Sequence, residues 1–151
     1  MNIKNRKEII IISIIGVVIL SMIIVLSLLS LNGARITTYD MKRIFNIRDI
    51  QSALQLYYSD VKHYPEQLDF DKPLKFNDTI YINNPMPTVY STYTGRGFCP
   101  KDFKMQYLQK DNGQSYQILF CIDNITWGIN AGYHVVSPQI KINDLQNKTK
   151  N

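Results

Sequence analysis

Between Ile9 and Leu31 the chain reads IIIISIIGVVILSMIIVLSLLSL, a run of 23 residues without a charge and with four serines among its polar types. No single face of this segment is polar. As a helix rising 1.5 Å per residue it would extend roughly 34 Å, enough for a hydrocarbon core about 30 Å thick. Past Asn32-Gly33-Ala34 the pattern changes period. Ile44, Ile47, Ile50, Leu54, Tyr57 or Tyr58, and Val61 then recur every three or four positions, which lines them on one helical face. Lys42, Arg43, Asn46, Arg48, Asp49, Ser52, Gln55 and Ser59 are assigned to the opposite, solvated face. Pro65 ends the run. The pattern therefore predicts a helix, or two nearly collinear helices meeting near Gly33, that is transmembrane over residues 9–31 and amphipathic over 32–64.

The remaining chain must cover the amphipathic stripe. Residues 66–98 are interrupted by Pro73, Pro85, Pro87, Gly95 and Gly97, and hold one short candidate strand at 79–82. Two clearer strands follow. Phe103, Met105 and Tyr107 alternate with Lys104, Gln106 and Leu108, and Tyr116, Ile118, Phe120 and Ile122 alternate with Gln117, Leu119, Cys121 and Asp123. Asp111-Asn112-Gly113 between them is a hairpin turn signal, and a third strand is expected near His134–Ser137. The expected class is α+β: a long N-terminal helix whose second half packs on a small antiparallel sheet. The β-rich head is expected over 65–140, with residues 141–151 as a frayed polar tail.

Charge and cysteine content refine this picture. Of a net charge of +5, Lys4, Arg6 and Lys7 precede the apolar run and the other charges are interspersed, so no nucleic-acid partner is expected. The run is about twice the length of a signal-peptide core and no A-x-A-like site follows it, so a retained signal-anchor is expected after a short cytoplasmic tail, residues 1–8. Arg35, Lys42 and Arg43 nearly balance the basic residues ahead of the span. Orientation is therefore taken from the short N-terminal tail and from the cysteine pair, Cys99 and Cys121, in the distal part. A pair suits an oxidising compartment, which puts the C-terminal domain outside the cytoplasm. A Cys99–Cys121 disulfide is the leading reading; two reduced, buried thiols are the alternative.

Candidate chemistry is sparse. His63 and His134 lack metal-ligand spacing, Asp123, Asn124 and Asp144 do not form an EF-hand pattern, and no G-x-S-x-G marks a nucleophile. No catalytic residue, metal site or cofactor is assigned.

The order of these residues resembles the type IV pilin-like family, in particular the major pseudopilins of type II secretion and related bacterial type IV pilins. The resemblance rests on Asp40-Met41-Lys42-Arg43, on Ile47 through Tyr58, and on Asp60 and Tyr64-Pro65, which together look like the family's helix-closing motif. Tyr81-Ile82-Asn83-Asn84-Pro85-Met86-Pro87 looks like its proline loop, and Tyr116–Asp123 with Gly128, Ala131, Gly132 and His134 looks like its hairpin and C-terminal segment. The resemblance implies a non-enzymatic filament subunit. Its N-terminal helix would leave membrane lipid to bundle with other copies or other pilin-like subunits, served by a secretion or pilus assembly machinery, with Glu8 and Gly16 as assembly positions. Ile47, Ile50, Leu54, Tyr57, Tyr58 and Val61 would join helix to sheet. Where the family has glycine before its apolar start, this chain has Asn5-Arg6-Lys7-Glu8; that departure implies instead a membrane-tethered module that does not polymerise.

Overall fold

The computed structural model describes residues 3–87, 93, 95 and 97–147, with side-chain surroundings outside the description for residues 3–10, 29, 32, 33, 146 and 147. The protein is α+β. Helix α1 (Ile3–Val61) is followed by strands β1 (Leu74–Phe76), β2 (Thr79–Ile82), β3 (Gln106–Lys110), β4 (Ser115–Ile122) and β5 (Gly132–Val136), and by the short helix α2 (Ile142–Asn147). The chain divides into two compact units, residues 1–35 and 36–151.

In the first unit, the stretch Ile11–Leu28 is long and apolar enough to cross a membrane, and none of it is buried. Its serines do not break the apolar surface. Ser21 Oγ donates to Val18 O and Ser27 Oγ to Ile23 O, each at 2.8 Å, so these two hydroxyls are satisfied by their own helix.

The second unit is built around the rest of α1. Ile44, Ile47, Ile50 and Leu54 are completely buried and share one core with Tyr116, Ile118, Phe120 and Ile122 of β4 and with Val136 of β5. Tyr57 belongs to the same core, with Tyr58 and Val61 packed half-buried against it. The sheet order is β3-β4-β5, antiparallel throughout, with Tyr107 opposite Ile118 and Phe120 opposite His134. Because β4 is central and alternates, one of its faces is apolar toward α1, while Cys121 points to the other.

Helix α1 stops where its last turn meets the β3–β4 turn. Lys62 adopts a left-handed φ of 66° just past the helix end and donates its N–H to Tyr58 O at 2.9 Å. Tyr64 N then donates to Gly113 O at 2.8 Å, and Gln109 Nε2 to Tyr64 O at 2.7 Å. Gly113 has φ +85°, and a Cβ there would approach His63 Cβ to 3.0 Å, so both backbone angle and space favour glycine. Tyrosine rings fill the same end: Tyr64 meets Tyr58 at 4.6 Å and Tyr116 at 4.7 Å between centroids. Burial pushes Tyr116 up to about 12 and raises Tyr107 as well.

Three expectations need correction. The chain from Lys141 does not fray directly: α2 forms, with Ile142 buried and Leu145 packed on the core. Asp144 Oδ2 accepts from Lys141 N at 2.8 Å, half of a capping box, and Gln51 Oε1 accepts from Ile142 N at 3.0 Å. The second correction concerns residues 66–98, where Leu74–Phe76 pairs with β2 as a hairpin, Asn77 taking the left-handed turn position at φ 51°. Tyr57 anchors that hairpin through edge contacts with Phe76 and Tyr81. Third, Arg43 is not on the solvated face, as described below. The expected polar tail beyond Asn147 lies outside the described residues.

Cys99 and Cys121 form a disulfide, 22 positions apart, on the sheet face away from α1. Bridging a loop of that length contributes about 3 kcal/mol in the chain-entropy model. Reduction of the full chain, or Cys99→Ser with Cys121→Ser, should therefore lower the urea midpoint by that equivalent; an unchanged midpoint would rule the contribution out. The tyrosines give a second expectation. A phenol whose folded value exceeds its ordinary 10 contributes stability that is whole below pH 10 and is lost as pH rises toward 12. Absorbance titration should show a buried subset ionising near pH 12, with unfolding moving to lower temperature between pH 10 and 12; one single step near 10 would contradict it.

Candidate functional site

The described side chains gather charge at one buried place. Asp40 and Arg43 lie on α1 at a spacing of three, so they share a face, and both are 0% exposed. Arg43 Nη1 donates to Asp40 Oδ1 at 2.7 Å and to Asp123 Oδ2 at 3.1 Å. Asp123 follows the last residue of β4. Its other oxygen accepts Cys99 N at 3.0 Å, while Asp40 accepts Asp123 N at 3.1 Å and Asn124 N at 2.9 Å. The Arg43 guanidinium also sits 3.9 Å over the ring of Tyr93, whose hydroxyl donates to Cys121 O at 2.9 Å.

This node ties α1, the end of β4 and the disulfide together. Its closeness leaves no spare room: a Cβ on Gly97 would fall 2.4 Å from Asp123 Cβ. Among the described residues, no buried side-chain nitrogen or oxygen lacks a partner. Burial raises the Asp40 carboxyl above its ordinary 3.8, against the opposing pull of the Asp123 and Asn124 amides and of Arg43. Burial likewise pushes Tyr93 up to about 12, with Arg43 opposing. The arrangement is suited to fixing backbone. Its carboxylates accept the guanidinium and three backbone amides.

Clefts open elsewhere among the described residues. One of about 640 Å³ lies between Leu68–Asp71 and Lys101–Tyr107 and carries both signs of charge. Another, of about 480 Å³, lies beside Gln51, whose amide is already engaged by Ser137 O and Ile142 N. The histidines are separate from both sets of polar groups: His63 Nδ1 lies 3.1 Å from Tyr64 O and His134 Nε2 lies 2.8 Å from Asn130 O. Among the described residues, no three His, Cys, Asp or Glu side chains converge as a metal would need. Asp144 caps α2, well apart in role from Asp123.

Of the residues singled out in the sequence for assembly, the Glu8 side chain lies outside the described residues. Gly16 is helical, and a Cβ there would meet nothing within 4 Å. Among the described residues no contact calls for glycine at that position, where alanine would stabilise the helix by roughly 0.5–1 kcal/mol.

Asp40, Arg43, Asp123 and Tyr93 were not identified from sequence as a unit. The signal was present for the first two. Counting back from Ile47 by four and then three gives 43 and 40, the stripe's own period, so periodicity places both on the buried face. Residue type argued the other way for Arg43 and prevailed wrongly. Asp123 and Tyr93 have no such signal, because only the fold brings them to Arg43.

Compared with known proteins, the chain matches no family model, no curated protein and no solved structure.

Removing Arg43 leaves two carboxylates facing each other in the interior. Arg43→Ala should destabilise the second unit by about 3–5 kcal/mol, whereas Arg48→Ala, on the exposed side of the same helix, should cost less than about 0.5 kcal/mol. Chemical unfolding of the two variants in parallel measures the difference, and equal losses would exclude a special role for the node.

Proposed function

We propose that this chain is a structural subunit of a type IV pilus-like or type II secretion pseudopilus filament, assembling with copies of itself or related subunits through its N-terminal helix. In this reading it enters the cytoplasmic membrane once, with residues 36–151 on the extracytoplasmic side, and carries out no catalysis. The observation that carries it is the surface of Ile11–Leu28, which is apolar all round and wholly exposed. Leaving fourteen such apolar side chains in water would cost roughly 20–40 kcal/mol at 1.5–3 kcal/mol each. That exceeds the whole stability of an ordinary domain, about 5–15 kcal/mol. In this reading lipid or a bundle of like helices covers it, and a helix uniform on all faces suits either.

Gly16 supports the bundled state. Small residues let helix backbones approach closely in an apolar medium, and nothing among the described residues makes use of that space. The amphipathic second half of α1, buried against a three-stranded sheet, also suits a subunit whose folded unit stays attached to its assembling helix.

The test is crosslinking of the full chain in native membranes. A ladder of oligomers that collapses on Gly16→Leu, with membrane retention unchanged, is expected. A chain that stays in membranes as a monomer under the same treatment would defeat the filament reading in favour of a tethered, non-polymerising module.

A further inference from the structure

Two elements of the second unit present an apolar face to the outside. On α1, Met41 and Phe45 are one turn apart and are 40% and 43% exposed. On the loop after β4, Ile125 and Trp127 are 72% and 47% exposed, and the Trp127 ring meets Phe45 at 5.3 Å between centroids. Single exposed apolar residues are ordinary. Here a tryptophan and a phenylalanine are in ring contact, with Met41 one turn from Phe45 and Ile125 two residues before Trp127, and the backbone is shaped to hold the pair. Trp127 has φ +52°, a left-handed conformation that costs a non-glycine residue about 1–2 kcal/mol. Thr126 and Ile129 exchange backbone hydrogen bonds at 3.0 and 2.9 Å around it. Asn124 N and Asp123 N are fastened to Asp40, so the loop is locked to the helix that supplies the other half of the face.

We propose that the Met41–Phe45–Ile125–Trp127 face docks on the headgroup region of a lipid bilayer. The inference rests on the membrane reading of residues 9–31 given above. Two observations select lipid as the occupant, in a chain whose apolar run, read as membrane-spanning, ends ten residues before Met41. Tryptophan and phenylalanine beside cations make up the composition that settles at membrane–water interfaces. Between residues 34 and 52 the exposed charges are Arg35, Lys42 and Arg48 against a single acid, Asp49, while Asp40 is buried and committed to Arg43. Lys42 and Arg48 flank Phe45 by one turn on either side, placed to meet lipid phosphate.

Trp127 is the chain's only tryptophan, so its fluorescence reports on this face alone. The full chain would be reconstituted at low protein-to-lipid ratio into phosphatidylcholine vesicles, with and without phosphatidylglycerol, using lipids brominated high on the acyl chain as quenchers. The proposal expects blue-shifted emission that brominated lipid quenches. Quenching should be stronger with phosphatidylglycerol, and Lys42→Gln with Arg48→Gln should remove that difference. Ile125→Ser, at a position outside the core, should weaken quenching while leaving the disulfide intact.

Emission that is red-shifted, open to acrylamide and insensitive to bromine, from protein that still resists carbonate extraction, would overturn the proposal while the membrane span stands. Blue emission that bromine does not quench and that fades as lipid is added would show a second copy of the chain on this face, and would overturn it equally. Protein released by carbonate would remove the membrane reading and the proposal together.

Discussion

A guanidinium cannot be taken out of water unless its surroundings are arranged around it, and Arg43 imposes that demand on the second unit. The isoleucines below it cannot set the position of α1 on the sheet by themselves. Ile44, Ile47, Ile50 and Leu54 are similar in size and repeat with the helix, so a slip of one turn would still bury apolar groups against β4. Arg43 has no such freedom. It reaches Asp123 and lies over Tyr93 in one register only, and Asp40 must at the same moment meet two amides beyond β4. Burial of a charge pair adds little net stability, while a mismatched pair is very costly, so the node acts chiefly by excluding alternatives.

That precision contrasts with Ile11–Leu28, none of which is buried. Two serines of this stretch bond back to their own helix. One helix thus carries two kinds of information. Its second half is matched side chain by side chain to a single sheet, and its first half is defined only by apolarity and by a small residue at Gly16.

Elements whose residue types and period agreed were readable from sequence. The uninterrupted apolar run, the stripe from Ile44 to Val61, the alternation in β4 and the Asp111–Gly113 turn all belong to that group. β1 was not, because Leu74 is its only buried residue and Pro73 stands directly before it. α2 was missed because six residues with two inward side chains give no period to count, and its capping groups, Asp144 and Gln51, include one about ninety positions away. At the node, period and residue type disagreed, and for an arginine the period was the better guide. The partners Asp123 and Tyr93 were beyond any local pattern, since they come to Arg43 from across the fold.

The bond from Ile142 N to Gln51 joins nearly the last described element to the first, and this has a consequence for how the chain is made. Ile44 leaves the ribosome about a hundred residues before Ile142 does. At about 5–20 residues per second, the apolar stripe of α1 waits on the order of 5 to 20 s before its final cover exists. During synthesis the second half of α1 is therefore an unprotected amphipathic surface emerging directly behind a stretch long and apolar enough to cross a membrane. Its first lodging is whatever apolar surface lies nearest, and the sheet must later compete for it.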